Sequence, residues 1–340
     1  MDCDTQFDAV KKIFNGSLPT HDGRAKIQTM DFVTSLVLCF TGDSKIFSLE
    51  AIRRKIMGLL DVEIPRSSFW DRLSTKSLTT HLQNLLGHFM GTMEIPLLRG
   101  QTLLTALNVK SIYLIDSTSI SLWDNLKKLF PGTRTTAGVK WHACFNLLTG
   151  MLEWFDITST SSNDRKSFPC VKDLKDALIV FDLGYFDYGL MNMIDEAKGY
   201  FLSRVKANAN IRILLPLLGI GENFIGRSID EIRAGHEIVD FIGEVYCQEH
   251  GIMEMRFVGF WNKEEKIYHW YMTNLKVEAS IIYPLYRLRW QIELIFKSCK
   301  TSLNLNEIPT GNKNIVINLL LSTILAYLVS LVTLDVAKKN

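Results

Sequence analysis

Ile112-Tyr-Leu-Ile-Asp116 and Leu178-Ile-Val-Phe-Asp182 are two short apolar runs, each closed by an aspartate. Their aliphatic and aromatic content predicts β-strands. Asp116 is followed by Ser117-Thr-Ser and Asp182 by Leu183-Gly-Tyr-Phe-Asp187, so both carboxylates are expected where a strand ends, a place where sites are built. Taken singly, each is most simply an aspartate that begins a turn. If the strands are neighbours, the two carboxylates can converge on one divalent ion.

Around these runs lie others of the same kind: Trp141-His-Ala-Cys-Phe-Asn146, Leu152-Glu-Trp-Phe-Asp156 and Gly199-Tyr-Phe-Leu-Ser-Arg-Val205, with a helix expected over Tyr188–Ala197. Three strands followed by alternating helix and strand predict an α/β fold, a mixed sheet covered by helices. From about Asn208 to Tyr268 the strand-like runs Glu237–Gln248 and Met253–Trp261 predict a β insertion. Helical spacing resumes over 279–303, with Pro284 acceptable in the first turn, and again over 314–337.

Residues 1 to about 105 read as a small helical domain. Ile27–Phe40 and Phe47–Leu60 carry apolar residues at helical spacing, separated by the turn Thr41-Gly-Asp-Ser. Ser68 and Asp71 make a capping pair for a third helix, continued by Leu78, Leu82, Leu85 and Leu86.

The helix that begins near Ala279 supplies the third acidic group. Tyr286, Arg289, Glu293 and Lys300 lie at helical offsets that place all four within roughly a 60° arc. Arg289 and Glu293 alone would be an ordinary surface ion pair. A phenol, a carboxylate and two cations along one face ask for more.

The spacing Tyr286-(2)-Arg289-(3)-Glu293-(6)-Lys300 resembles the signature of a large group of bacterial DDE insertion-sequence transposases. Ile115-Asp-Ser-Thr118, Gly138-Val-Lys-Trp-His142 with Leu148-Thr-Gly150, Asp182-Leu-Gly-Tyr185 and Thr273-Asn-Leu275 resemble the blocks around the family's two aspartates and before its signature helix. The likeness covers about residues 106–310. Arg66-Ser-Ser-Phe-Trp-Asp-Arg-Leu73 resembles the family's DNA-end-binding part more loosely.

The resemblance implies an RNase H-like catalytic domain over 106–340, interrupted by the β insertion at about 208–268 and preceded by a helical DNA-end-binding domain over 1–105. It implies that Asp116, Asp182 and Glu293 bind Mg²⁺, with Mn²⁺ able to substitute, for excision and strand transfer by two-metal phosphoryl transfer. Tyr286, Arg289 and Lys300 would hold phosphates of the uncut strand. Lys140 is a further candidate phosphate contact. Trp261 is a candidate platform for a base displaced from the DNA end, although a Trp in a β-rich run more often belongs to a core. His142 reads as a satisfied histidine on the sheet. The partners implied are the terminal inverted repeats of the element and a second copy of the chain in a synaptic complex.

Composition limits the alternatives. With 340 residues, 47% of them hydrophobic, the chain has material for a sizeable core. Its six cysteines form no Cys-x-x-Cys pair, which points away from zinc modules and disulfide frameworks. The opening Met1-Asp-Cys-Asp lacks a basic segment followed by an apolar run, so a cytoplasmic protein is expected, and the resemblance implies that it is nucleoid-associated. A net charge of +2 requires any DNA-binding surface to be local. Ile315–Leu334 is long and uncharged enough to span a bilayer. Its polar residues Asn318, Ser322, Thr323, Ser330 and Thr333 gather within roughly 140°, however, which predicts a helix packed on a core and no membrane. Two other readings stand beside the transposase: an RNase H-like nuclease without strand transfer, and an inactive DNA-binding regulator derived from a transposase. Three carboxylates kept together at a cost in repulsion count against the regulator.

Overall fold

The computed structural model describes residues 3–15, 25–41, 48–92, 107–133, 137–147, 151–168, 174–206, 209–233, 235–247, 251–301 and 310–339. Gly42-Asp43-Ser44, Leu148-Thr-Gly150 and the boundaries expected near 105 and at 208 lie outside them.

The chain opens with helices α1 (Cys3–Phe14), α2 (Thr29–Leu38), α3 (Leu49–Leu60), α4 (Arg66–Leu73) and α5 (Lys76–Thr92). Ser48 caps α3 by accepting from the Ala51 amide. At α4 the capping pair expected from Ser68 and Asp71 does not form. Pro65 is the N-cap residue there and makes no side-chain cap bond, so Ser68 falls inside the first turn.

Five strands follow: β1 (Ser111–Ser121), β2 (Gly138–Asn146), β3 (Met151–Ser159), β4 (Ala177–Phe181) and β5 (Tyr200–Arg204), with α6 (Tyr188–Glu196) between the last two. Their spatial order is β3-β2-β1-β4-β5. β2 runs antiparallel to both neighbours, whereas β4 is parallel to β1 and β5 to β4. This is the RNase H-like arrangement. β4 is buried along its whole length, which explains its unbroken apolar run. Leu178 and Val180 join one hydrophobic cluster while Ile179 and Phe181 join a second, as the two-residue period of a strand requires.

Beyond β5 the sheet continues through β6 (Ile211–Leu218), β7 (Ile238–Cys247), β8 (Gly251–Asn262) and β9 (Ile267–Thr273), giving nine strands in the order β3-β2-β1-β4-β5-β9-β8-β7-β6. β9 attaches the insertion strands by antiparallel pairing to β5, with Leu202 opposite Thr273. Pro216 sits in β6, the end strand, where a missing amide proton costs no ladder bond on the open side. Arg256 on β8 donates to both carboxylate oxygens of Asp240 on β7, at 3.0 and 2.6 Å, and to the Leu275 carbonyl at 2.7 Å. That guanidinium fixes the insertion to the segment leading into the next helix.

The single helix expected over 279–303 is two, α7 (Ala279–Arg287) and α8 (Trp290–Thr301). At the junction the amides of Leu288, Arg289, Gln291 and Ile292 reach back three residues, to Leu285, Tyr286, Leu288 and Arg289, and this tighter winding separates the helices. Pro284 lies inside α7, not in its first turn.

The last helix, α9 (Lys313–Lys339), contains the apolar window Lys313–Ser330, the one stretch of the described residues with the length and composition to cross a membrane. Of that window 72% is buried against the rest of the chain. Its polar residues make specific contacts. Asn318 is wholly buried, donates to the carbonyls of Leu73 (2.9 Å) and Thr75 (3.3 Å), and accepts from the Thr79 hydroxyl at 2.7 Å. Asn314 donates to the Ser74 carbonyl. Val10, Phe32, Ile56, Leu85, Leu114, Trp141 and Leu325 all belong to one cluster, so the N-terminal helices, α9 and one face of the sheet share a core.

Candidate active site

β1 does not end at Asp116. Its parallel partner β4 stops at the pair Ile115–Phe181, but β2 goes on pairing with β1 as far as Ser121. Asp116 therefore lies within the strand, at the point where β4 falls away. The same register sets Asp182, the residue after Phe181, beside it. The adjacency follows from parallel pairing: equal steps past one matched pair keep two residues abreast.

Glu293 arrives from the first turn of α8. Ile292 and Phe296 on that helix are buried, and the Phe296 ring meets Trp141 of β2 edge-on at 4.8 Å. With that face docked on the sheet, Glu293, Lys297 and Lys300 face a cleft of about 560 Å³, which Asp116, Ser117, Thr118, Asp182, Arg289 and Phe296 also line. The three carboxylates, far apart in the chain, thus border one opening.

Arg289, in the turn between α7 and α8, spans two of them. Its guanidinium donates to Asp116 Oδ2 and, at 2.6 Å, to Glu293 Oε1. Its Nε has no hydrogen-bond partner among the described residues. Tyr286, mostly buried against Tyr271, donates to Asp182 Oδ1 at 3.3 Å and lies beneath the guanidinium at 5.6 Å. Burial works against the Arg289 charge, but Asp116, Tyr286, Asp182 and Glu293 together hold it more firmly protonated than usual.

Burial is also the main influence on Asp116, which is 7% exposed. Arg289 and the Ser117 amide stabilise its charge and Asp182 and Glu293 oppose it, leaving the carboxyl raised to about 7. Tyr286 is pushed well above the normal phenol range, chiefly by burial.

An oxygen-only donor set of three carboxylates suits a hard divalent cation. In the present arrangement a guanidinium stands between Asp116 and Glu293, so the place between them already selects positive charge. Among the described residues no group of three acidic, histidine or cysteine side chains is placed as a metal cage in this arrangement.

The remaining predicted residues sit elsewhere. Lys140 forms an ion pair with Asp164 and donates to the Ser162 carbonyl at 3.2 Å, outside the residues that line the cleft. His142 is fully buried, with Tyr185 OH at 2.6 Å and Thr158 Oγ1 at 2.9 Å, and burial holds it below the usual histidine range. Trp261 packs against Tyr268 at 5.0 Å and lines a second cleft of about 530 Å³ with Leu183, Arg204, Lys206, Arg233 and Lys266. Lys297 carried no mark in the sequence beyond standing four residues after Glu293, which sets the two side by side on α8. Ser117 and Thr118 carried no signal beyond following Asp116.

The transposase DDE domain model matches residues 107–329, which span every strand and both helices of the site. The chain is 27% identical over 241 residues to the transposase of insertion sequence element IS1151 from Clostridium perfringens, covering 57% of this chain and 50% of that protein. It is 22% identical over 246 residues to the transposase of element IS231F from Bacillus thuringiensis subsp. israelensis, covering 59% and 52%. It therefore spans about half the length of the curated relatives it matches. Among solved structures, the piggyBac transposase synaptic complex with hairpin DNA aligns with 98% of this chain and 72% of that one, at a TM-score of 0.47 and 11% identity. With a family model covering most of its length, and with Asp116 and Asp182 abreast where β4 ends, this chain belongs to the transposase DDE domain family.

Proposed function

We propose that this chain cuts and rejoins DNA as an insertion-sequence transposase, with Asp116, Asp182 and Glu293 as the residues that hold divalent metal. The observation that carries the reading is the convergence of these three carboxylates on one cleft also lined by Arg289, Lys297 and Lys300. Mg²⁺ is the natural ion for carboxylate oxygens, and Mn²⁺ fits the same donors. Bound there, such ions would stabilise the attacking and leaving oxygens of an in-line phosphoryl displacement.

The chain's own residues have separate tasks. Asp116 and Asp182 supply oxygens from a rigid sheet, and Glu293 from a helix docked on it. Lys300 faces the cleft and would hold a DNA phosphate there, where fixed cations orient a strand without reading its sequence; Arg289 and the Tyr286 hydroxyl would join it by exchanging Glu293 and Asp182 for phosphate oxygens. Trp261 and Tyr268, with Arg204, Lys206, Arg233 and Lys266 around them, fit a stretch of unpaired DNA, the rings stacking on bases and the cations facing phosphates. Lys140, tied to Asp164, contributes to DNA binding only through the charge it adds nearby.

Residues 1–105 are proposed to recognise the terminal inverted repeats, and 106–340 to carry the chemistry. Lys76 is exposed for that purpose. Arg72 is spent on the Ile27 carbonyl and the Phe32 ring, holding α4 to the start of α2. Pairing of two DNA ends calls for a second copy of the chain, and the nucleoid is where such a protein would act.

The test is incubation of the protein with a plasmid carrying the inverted repeats that flank its coding region, in Mg²⁺. Joined products at new sites are expected. Nicks without joining would make it a nuclease, and neither product would remove the enzymatic reading.

A further inference from the structure

Asp164 lies outside both clefts and belongs to no part of the proposed chemistry, yet it touches the chain just after each catalytic aspartate. It opens the short 3-10 turn Asp164–Ser167 that follows β3. Its Oδ2 accepts from the Ser117 hydroxyl at 3.3 Å, and Ser117 in turn gives its amide to Asp116 Oδ1 at 2.8 Å. The same Oδ2 lies 2.5 Å from where a β-carbon would stand on Gly184, in the turn Leu183–Tyr185 that follows Asp182. The carboxylate therefore packs directly on the Gly184 backbone, which only the absence of a side chain permits.

Asp164 is itself fixed. Lys140 of β2 pairs with its Oδ1, and both side chains are 15% exposed. The turn after Asp182 is held from a second direction by Tyr185, whose hydroxyl meets His142 of β2 at 2.6 Å. In a strand-end site the backbone beyond the last ladder bond sets where a carboxylate points, and β4 stops one residue before Asp182. The half-buried Asp164 carboxylate, packed between the two post-aspartate segments, supplies after Asp182 the constraint that the β4 ladder no longer gives, and ties it to Ser117, which β2 still holds.

We propose that Asp164, anchored by Lys140, is a positioning residue that holds Asp116 and Asp182 at the separation a shared metal requires. This rests on the metal-binding reading of the cleft. Groups that orient metal ligands are worth about ten- to a hundredfold in affinity, without touching metal or substrate.

The experiment measures Mn²⁺ binding to the full chain by calorimetry, with thermal melting alongside. The variants are Asp164→Asn, Ser117→Ala and Asp240→Asn, the last breaking a comparably buried ion pair in the insertion. Asp164→Asn is expected to weaken Mn²⁺ binding about tenfold or more, while Asp240→Asn lowers melting but keeps the affinity. Ser117→Ala should weaken binding about threefold and add nothing in the Asp164→Asn background. Wild-type affinity in Asp164→Asn, or an equal loss in Asp240→Asn, would overturn the positioning role alone. If Asp164→Asn does not fold, unchanged affinity in Ser117→Ala overturns it. Wild-type protein that binds no Mn²⁺ would overturn the metal reading, and this inference with it.

Discussion

Arg256 and Arg289 are both nearly buried against carboxylates, and they are held in opposite ways. Arg256 gives two hydrogen bonds to the single carboxylate of Asp240 and a third to the Leu275 carbonyl. Arg289 divides its donors between Asp116 and Glu293, leaves Nε unpaired and borders an open cleft. The first is a closed, matched pair in the insertion, and its work is to hold strands together. The second is divided between two of the three carboxylates that border the cleft, and its work is not to close a matched pair. A saturated arginine marks structure. A shared and incompletely bonded one marks a place built for a further charged ligand.

The contrast predicts where damage is structural. Asp240→Asn leaves the Arg256 charge buried without its partner and should cost about 3–5 kcal/mol of stability, read from denaturant unfolding. A loss below about 1 kcal/mol would mean that the pair is no closed lock. At the other arginine, stability should respond to ligand instead. Mn²⁺ at about a hundred times its dissociation constant should stabilise the wild type by about 2.7 kcal/mol and should leave Glu293→Gln unmoved at the same concentration.

The cleft also carries a signature in acidity. Asp116 is raised to about 7 in the fold, from an ordinary value of about 3.9. Between these values the native carboxyl keeps a proton that the unfolded chain has lost. Its contribution to stability is therefore fully present below about pH 4 and is lost as pH rises to about 7, with a slope of at most about 1.4 kcal/mol per pH unit. Metal-free Asp116→Asn should lack that slope, and an unchanged slope would place its origin elsewhere. The smallest effect is expected at Tyr286→Phe. It removes a 3.3 Å bond to Asp182 and should change stability by about 1 kcal/mol or less, because the ring remains packed on Tyr271.

Much of this was legible in the sequence where a local pattern carried it. The runs ending at Asp116 and Asp182 announce strands because buried parallel strands need continuous apolar residues. The offset of seven from Glu293 to Lys300 announces a shared face because a helix repeats at a fixed angle, whereas Tyr286 stands on the helix before and Arg289 in the turn between them. What stayed hidden depends on distant pairing. That β9 joins β5, extending one sheet instead of forming a separate insertion layer, is set by contacts between residues about seventy apart, such as Leu202 and Thr273. The break at Leu288-Arg289 leaves no composition signal, since Leu and Arg are both good helix formers. Asp164 follows Ser161-Ser-Asn and looks like surface turn. Its role appears only once Ser117 and Gly184 have been folded against it.

The central claim is that Glu293 completes a metal-binding carboxylate set and is more than a partner for Arg289. Glu293→Gln keeps shape and helix propensity while removing the charge, so folding should survive. The decisive measurement is single-turnover nicking of a terminal-repeat duplex in Mg²⁺ by wild type and Glu293→Gln, with a gel-shift titration in parallel. Loss of the ion pair alone is worth about 0.3–0.5 kcal/mol, little more than a twofold change. Loss of a metal ligand should slow nicking by about a thousandfold or more, roughly 4 kcal/mol, with DNA affinity nearly unchanged. Nicking by Glu293→Gln within a few-fold of wild type would contradict the account.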